Sequence, residues 1–400
     1  MIDELCRLLV IGMFSMAYGC SQFGLILGLV FLVLAAAITW LSIRVLSVLA
    51  LDYKASNPTF YSVSNILVPK LKWLIDVALI INCFGGVIAY VQTFGNLLAR
   101  GLWGVIQWNK EDLSLNNTAL IIQAGILVVL APLCMMKEIS STKFANLIGL
   151  GCIGYIFIMT FFYVPCTAAK EDFSALMKPV EILTLFASFP TFIFSFACQQ
   201  NIFTVANELK DANMQKLNRI SMASVSTGFL VYLPLMVLPF LTWGAGVKSS
   251  YLFNLTNADE TVDIPVMIAF VFASLSVSIS YVLLLQPVRC SFMSLIFGSN
   301  QPTGKKEKTY RITLVVVLML LSFGLAVLLG DNLSLPISIA GLFGGNTMCF
   351  IMPFILYLKA KGFNKKDKFS ITVMVTLVFC FLLYPICLTG IIYGELNKAK

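Results

Sequence analysis

The chain has no histidine and few charged residues, and each shortage excludes a class of site. Without histidine there is no imidazole to act as a general base, to relay protons or to bind a metal. Asp, Glu, Lys and Arg make up 12% of the 400 residues, about half of the share in a soluble domain. No two cysteines have C-x-x-C spacing, and most lie in apolar segments, where thiols act as small hydrophobic groups. The sequence therefore favours neither a metal site nor a soluble domain.

Long apolar segments are what the chain has instead. Apolar residues account for 59% of the sequence, and the mean hydropathy is +0.92. The segments are about 20 residues long, the length that crosses a ~30 Å hydrocarbon core as a helix. They lack the short alternating pattern of barrel strands, which predicts an all-α polytopic membrane protein. We predict about eleven spans, at residues 5–19, 24–50, 73–99, 117–136, 144–166, 182–205, 220–243, 264–286, 311–330, 335–358 and 370–393.

The basic residues predict the orientation of the chain. Most of the 27 Lys and Arg residues fall in connections that share one side, and such residues are enriched in cytosolic loops. We therefore expect a cytosolic amino terminus and an extracytosolic carboxyl terminus. Basic residues divided among short loops do not indicate a nucleic-acid partner, and no connection has room for a soluble catalytic domain. The sequence predicts one transmembrane domain over residues 1–400, embedded in the lipid bilayer, with no enzymatic activity.

Glycosylation sequons agree with this orientation. Asn116 and Asn254 begin N-x-S/T motifs in connections predicted to lie outside, so both are predicted acceptors in a glycoprotein. Sequons also arise by chance, so unmodified asparagines remain the alternative. A third sequon at Asn332 lies close to the predicted bilayer surface, and we do not expect it to be modified.

The sixth predicted span places polar groups in mid-membrane. Pro190 removes a backbone donor, and Ser195 and Cys198-Gln199-Gln200 follow within the same segment. Amide side chains are costly in lipid unless they face protein or a water-filled cavity. Two interpretations remain open: a proline-kinked helix whose glutamines bond to neighbouring helices, or a broken helix whose free backbone groups contact a solute.

Other polar groups at depth have a structural and a functional interpretation. Ser274 and Ser278 of the eighth span share one helical face. Their hydroxyls either bond to carbonyls of their own helix or help to bind a hard cation, which prefers oxygen ligands. Asn82 and Asn346 either join helices or contact a ligand.

Several motifs, in the order in which they occur, resemble the amino acid/auxin permease family, especially its sodium-coupled neutral and vacuolar amino-acid transporters. The most informative match runs from Phe196-Ala197-Cys198-Gln199-Gln200 to Glu208-Leu209-Lys210-Asp211. The others are Met16-Ala17-Tyr18, Pro132-Leu133 with Ser140-Ser141, Gln286-Pro287-Val288-Arg289, and the segment from Gly341 to Pro353.

The resemblance implies a fold of the LeuT/APC type, with two inverted five-helix repeats at about 1–166 and 180–360 and an extra helix at about 369–394. A small-molecule amino acid would bind where the first and sixth spans unwind. The implied substrate-binding residues are Gly12, Met13, Phe14, Ser195, Phe196, Ala197 and Cys198, with Asn82 from the third span. Ser278, with Ser274, is the implied cation site. No cofactor other than a sodium ion is expected.

The first span departs from the family pattern. It has one glycine where the family has a pair, lacks the proline before the Tyr–Ala position, and covers only ~22 Å as a helix over residues 5–19, so we expect a shortened first helix. The leading hypothesis is symport or another secondary active transport of neutral amino acids, driven by sodium or protons, in a plasma or vacuolar/lysosomal membrane. The alternative is a non-transporting amino-acid sensor or scaffold with the transporter fold.

Overall fold

The structure, a computed structural model, describes residues 2–54, 58–103, 115–136, 142–164, 182–199, 201–256, 262–297, 302–330 and 332–398. Within these ranges all regular secondary structure is helical. The α-helices are α1 (Ile2–Phe23), α2 (Leu25–Asp52), α3 (Phe60–Leu67), α4 (Lys72–Trp103), α5 (Leu115–Cys134), α6 (Thr142–Tyr163), α7 (Ile182–Ser195), α8 (Asn201–Glu208), α9 (Met214–Trp243), α10 (Ile264–Phe297), α11 (Gly304–Leu329), α12 (Ser334–Ile339), α13 (Met352–Lys361) and α14 (Lys368–Lys398). A π-helical segment, Ala340–Ile351, joins α12 to α13.

Eight stretches among the described residues are long and apolar enough to cross a membrane. They are Leu25–Asp52, Pro69–Trp103, Leu115–Cys134, Met214–Gly246, Ile264–Phe297, Gly304–Leu329, Ser334–Lys361 and Lys368–Leu396. Each coincides with a predicted span. An apolar segment in lipid forms a helix because a helix gives its backbone amides hydrogen-bond partners within the segment, without water. Two shorter apolar helices, Leu147–Tyr163 and Phe186–Ser195, lie in two further predicted spans. The total of eleven stays a prediction.

The first helix is longer than predicted and is not broken. α1 contains 22 residues, or about 33 Å of helix, where the sequence predicted residues 5–19. The expected break at Gly12, Met13 and Phe14 was wrong, since these residues lie within continuous α-helix. The chain turns instead at Gly24, whose φ of 74° suits a residue without a Cβ. α2 begins at the next residue.

The sixth span divides into two helices, as one of the two interpretations predicted. α7 ends at Ser195 and α8 begins at Asn201, with Phe196–Gln199 outside any helix and Gln200 outside the described residues. We call residues Phe196–Gln199 the break. Pro190 does not end α7 but lies inside it.

α4 packs against α5, α10, α11 and the π-helical segment. Its most extensive contact is with α10. α1 packs against α7 and α9, so it lies beside the break. Glycines allow the closest approaches: a Cβ on Gly341 would lie 2.0 Å from the carbonyl oxygen of Pro190, and one on Gly344 would lie 2.4 Å from the amide nitrogen of Asn82. The π-helical segment is therefore held between α7 and α4.

Arg289 is a buried cation that joins α10 to the end of α5. Its Nη1 donates to the carbonyl oxygens of Cys134, at 3.2 Å, and Met136, at 2.9 Å. These carbonyls lie at the carboxyl end of α5, where a helix dipole favours positive charge. We expect Arg289→Lys to destabilise the protein by about 1.5–3 kcal/mol, the contribution of one charged hydrogen bond, because an ammonium group cannot reproduce the guanidinium geometry. Thermal unfolding of the purified protein measures this change.

Lys361→Met is the matched control. The Lys361 ammonium group pairs with Asp52 at 2.9 Å, but its side chain is 44% exposed, and such pairs contribute at most about 1 kcal/mol. Equal effects of the two substitutions would show that the Arg289 bonds add nothing beyond a surface ion pair.

Candidate functional site

The break contains short-range turns in place of helical hydrogen bonds. The Ala197 amide donates to the Phe194 carbonyl at 3.1 Å, and the Cys198 amide donates to the Phe196 carbonyl at 3.0 Å. The second bond closes a three-residue turn. Phe196 and Cys198 are buried, so this irregular backbone lies inside protein, as membrane depth requires.

Three elements meet at Ser195, the last residue of α7. The Ser195 carbonyl accepts a hydrogen bond from the Tyr232 hydroxyl of α9 at 2.9 Å. A Cβ on Gly12 of α1 would lie 2.5 Å from both Cβ and Oγ of Ser195, and 2.7 Å from the Tyr232 hydroxyl oxygen. The Phe196 ring packs edge-on against Tyr232, with centroids 5.3 Å apart. Gly12, Ser195, Phe196 and Tyr232 therefore form one contiguous group.

Two other predicted residues of the first span, Met13 and Phe14, are buried on α1. Because α1 is continuous, their backbone groups are committed to helical hydrogen bonds. They can contribute side-chain surface, but not the free amides and carbonyls that the sequence predicted. Of the two expected unwound segments, the structure contains the one in the sixth span.

Gln199 connects the break to α2. Its side chain is buried, and its Nε2 donates to the Thr39 hydroxyl at 3.4 Å. Its Oε1 has no hydrogen-bond partner among the described residues, and a buried orphan acceptor costs about 1–3 kcal/mol. This amide oxygen is thus a ready acceptor for a donor from a solute or a water molecule.

Asn82 of α4 lies against the π-helical segment, which in turn packs against α7. A Cβ on Gly345 of the π-helical segment would lie 3.3 Å from Asn82 Oδ1 and 3.4 Å from Ile193 of α7. Asn82 is buried, and its Oδ1 has no partner in the described part of the chain. Asn346 instead donates to the Cys380 carbonyl of α14 at 2.9 Å, which is the helix-joining role.

Ser274 and Ser278 of α10 both hydrogen-bond to backbone carbonyls. Ser278 donates to the Ser274 carbonyl at 2.7 Å, and Ser274 donates to the Phe94 carbonyl of α4 at 3.1 Å. These bonds fit the packing interpretation. Because each hydroxyl donates its proton, its oxygen lone pairs remain available for a cation.

The two predicted glycosylation residues lie near helix ends. Asn116 is the second residue of α5 and is exposed. Asn254 accepts from the Lys248 amide and donates to the Gly246 carbonyl, each at 2.9 Å, so it organises the loop after α9. Asn332 donates to the Glu395 carboxylate at 3.1 Å. Modification of Asn116 and Asn254 stays a prediction.

Around the break the charge is low. Neither Gly12–Phe23 nor Phe186–Gln199 contains Asp, Glu, Lys or Arg. A charged solute side chain placed here would have no ionic partner on these segments, and burying an unpaired charge is costly. The polar groups present are hydroxyls, amides and backbone carbonyls.

Tyr232 and Thr39 were not selected from the sequence. Each lies inside a long apolar span with no distinctive motif around it, as in an ordinary helix–helix contact. The one available signal was Pro234, two residues after Tyr232, which marks a position where the α9 backbone lacks a donor. It was too general to identify the partner of Ser195.

Comparison with known proteins identifies the family. Residues 5–396 match the profile of the family described as transmembrane amino acid transporter protein. Vacuolar amino acid transporter 6 of Saccharomyces cerevisiae is 24% identical over 242 residues, which cover 59% of this chain and 53% of that protein. Vacuolar amino acid transporter 5 of Schizosaccharomyces pombe is 24% identical over 355 residues, with 86% and 80% covered. The chain thus spans about half of the length of the first relative and most of the second.

A solved structure has the same fold. The crystal structure of MhsT in complex with L-phenylalanine superposes with a TM-score of 0.59 over 96% of this chain and 97% of that chain, at 11% sequence identity. The all-α transporter fold predicted from the sequence is confirmed, and so is the family resemblance seen in the sixth span. The chain belongs to the family of transmembrane amino acid transporter proteins.

Proposed function

We propose that the chain carries neutral amino acids across a vacuolar membrane by secondary active transport. The observation that carries this proposal is the break, whose carbonyl end at Ser195 meets Gly12 and Tyr232. A carbonyl at the end of a half-helix suits the substrate's ammonium group, and the amino end of the facing half-helix suits its carboxylate. The vacuolar location is supported by the names of the relatives.

The preference for neutral side chains follows from the lack of charge. Phe192 and Phe196 are fully buried beside Gly19 and Tyr232. They offer apolar and aromatic surface, which suits an uncharged side chain. An acidic or basic side chain would lose its hydration without gaining an ionic partner on the segments Gly12–Phe23 and Phe186–Gln199.

Coupling to sodium or protons is the remaining part of the proposal. Ser274 and Ser278 supply two hydroxyl oxygens, and each hydroxyl is hydrogen-bonded to a backbone carbonyl. These neutral oxygens can coordinate a hard monovalent cation. We place the cation between α4 and α10, where Ser274 reaches Phe94. The two predicted inverted repeats, at about 1–166 and 180–360, would then move relative to each other around the bound substrate and cation.

Uptake by the full chain in proteoliposomes tests the proposal. We expect radiolabelled neutral amino acids to accumulate under an imposed sodium or proton gradient, and lysine and glutamate to stay near the level of protein-free liposomes. Repeating these uptake assays with and without sodium at two pH values identifies the coupling ion.

A non-transporting sensor is the second candidate, because α1 lacks the expected break. Saturable binding of amino acids without accumulation under any gradient would favour the sensor.

Tyr232→Phe tests the site itself. In the wild type the Tyr232 hydroxyl satisfies the Ser195 carbonyl, the group that we assign to the substrate's ammonium. Without this hydroxyl the empty site holds an unsatisfied carbonyl, at a cost of about 1–3 kcal/mol, which bound substrate removes. We expect a KM several-fold to about tenfold lower in uptake assays and greater thermal stabilisation by substrate.

Tyr281→Phe is the control for Tyr232→Phe. Its hydroxyl is also buried and bonds to the Ser322 hydroxyl of α11, at 3.2 Å, far along the chain from the break. An unchanged KM in Tyr232→Phe, or the same change in both variants, would contradict the role of Ser195.

A further inference from the structure

A cavity lies between α4, α5 and α11, lined by none of the residues of the break. Its volume is about 190 Å³, roughly six water molecules at about 30 Å³ each. The residues that line it are Asn96, Asn116, Ala119, Leu120, Gln123, Ala326, Val327 and Gly330. Asn96 is fourteen residues from Asn82 along α4, which corresponds to about 21 Å of helix. None of the residues that line the cavity belongs to the group of Gly12, Ser195, Phe196 and Tyr232.

The inner part of the cavity is lined with carboxamides. Gln123 is 4% exposed, its side chain lies directly over Gly95, and its Oε1 has no hydrogen-bond partner in the described part of the chain. Asn96 of α4 lies beside it. Gln92, one turn before Asn96, does not line the cavity, but its Nε2 donates to the carbonyl of the lining residue Gly330 at 2.8 Å. Polar amides inside a membrane protein are costly unless they are satisfied.

Two helix ends of opposite polarity form the mouth. Asn116 belongs to the first turn of α5, and Gly330 follows the last residue of α11. The amino end of a helix carries partial positive charge and the carboxyl end partial negative charge. A zwitterion can place its carboxylate toward α5 and its ammonium toward α11. Among the described residues that line the cavity none is ionisable, and a zwitterion has no net charge to neutralise.

We propose that this cavity is an accessory binding site for a free amino acid with a carboxamide side chain, glutamine or asparagine. The ligand's side-chain amide nitrogen donates to Oε1 of Gln123, which has no other hydrogen-bond partner among the described residues. Its zwitterionic end stays at the mouth, between the ends of α5 and α11. Ala119 and Ala326 leave space for the ligand's methylene groups. This assignment is independent of transport through the break.

Equilibrium binding of radiolabelled glutamine to the purified full-length protein, without any gradient, tests the proposal. The background variant is Asn116→Gln, which removes the glycan acceptor at the mouth and keeps an amide. Val327→Phe fills the mouth from a residue that is 40% exposed, and Leu328→Phe is its control, since Leu328 is 81% exposed and does not line the cavity. We expect Val327→Phe to remove one glutamine-binding site per chain and Leu328→Phe to remove none.

Gln123→Leu is a second, independent variant. It keeps the aliphatic contact over Gly95 and removes the amide, so we expect glutamine to bind the accessory site at least tenfold more weakly, while leucine binding stays unchanged. The assay also separates the two hypotheses. If the break binds nothing, wild-type protein still binds one glutamine, and Val327→Phe abolishes it. Glutamine binding that is unchanged in both Val327→Phe and Gln123→Leu overturns the proposal.

Discussion

Gly341→Ala is expected to be the most damaging glycine-to-alanine substitution among the described residues. The new Cβ would lie 2.0 Å from the carbonyl oxygen and 2.7 Å from the carbonyl carbon of Pro190. Both are backbone atoms inside α7, so no side-chain rotation relieves the clash, and the π-helical segment must separate from α7. We expect a loss of about 3 kcal/mol or more, at or above the upper end of typical overpacking costs. The thermal unfolding midpoint of the purified protein reports it.

Gly324→Ala is the matched control for Gly341→Ala. Gly324 lies inside α11, and an added Cβ would have no neighbour within 4 Å. Alanine is the better helix former by about 1 kcal/mol, so this variant is expected to be neutral or slightly more stable. If Gly341→Ala and Gly324→Ala have the same thermal unfolding midpoint, the close contact between the π-helical segment and α7 does not exist in the folded protein.

Gly12→Ala is expected to have the second-largest effect, on transport more than on folding. Its Cβ would lie 2.5 Å from Ser195 Cβ, where ordinary contact begins at 3.4 Å, so α1 and α7 must separate by about 1 Å. A displacement of this size at a binding site can cost about 100-fold in rate. We expect uptake to fall by a factor between about ten and 100 in reconstituted protein that remains monodisperse.

Gly154→Ala controls for the loss of a glycine from a spanning helix. No atom lies within 4 Å of a Cβ at Gly154 of α6, so its uptake rate is expected to match the wild type. Normal uptake by Gly12→Ala would mean that α1 does not need to approach Ser195, and the site around the break would have to be placed elsewhere.

Local properties of the sequence predicted the spans well. The length of an apolar segment can be counted directly along the sequence. In lipid such a segment forms a helix because its backbone groups must hydrogen-bond to one another. The interruption after Ser195 was one of two predictions, because the polar run from Cys198 to Gln200 is costly in a continuous helix unless its amides bond to neighbouring helices. The same reasoning did not work for α1. A single Gly12 in an apolar helix is compatible with a break or with a close helix contact, and the sequence does not distinguish them.

The partners of each polar group depended on contacts between distant residues. Tyr232 and Ser195 are 37 positions apart, and neither α9 nor α7 contains a pattern that specifies the other. The accessory cavity likewise requires three helices to meet, with Gln123 and Asn96 on facing sides. A hydrogen bond across such a distance is selected by the packing of whole helices, which local hydropathy does not encode.

The sequence by itself therefore determined the class of the protein, the positions of its main spans and the family resemblance, and it limited the sixth span to a kinked or a broken helix. The tertiary structure decided that α1 is continuous, that Gly12 and Tyr232 meet at Ser195, and that the π-helical segment lies between α4 and α7. The physical reason is that burial in lipid acts on each segment separately, whereas the choice of partner depends on sub-ångström fit between helices. A glycine such as Gly341 can be identified as a close-contact residue only when the facing atom, here the Pro190 carbonyl oxygen, is known.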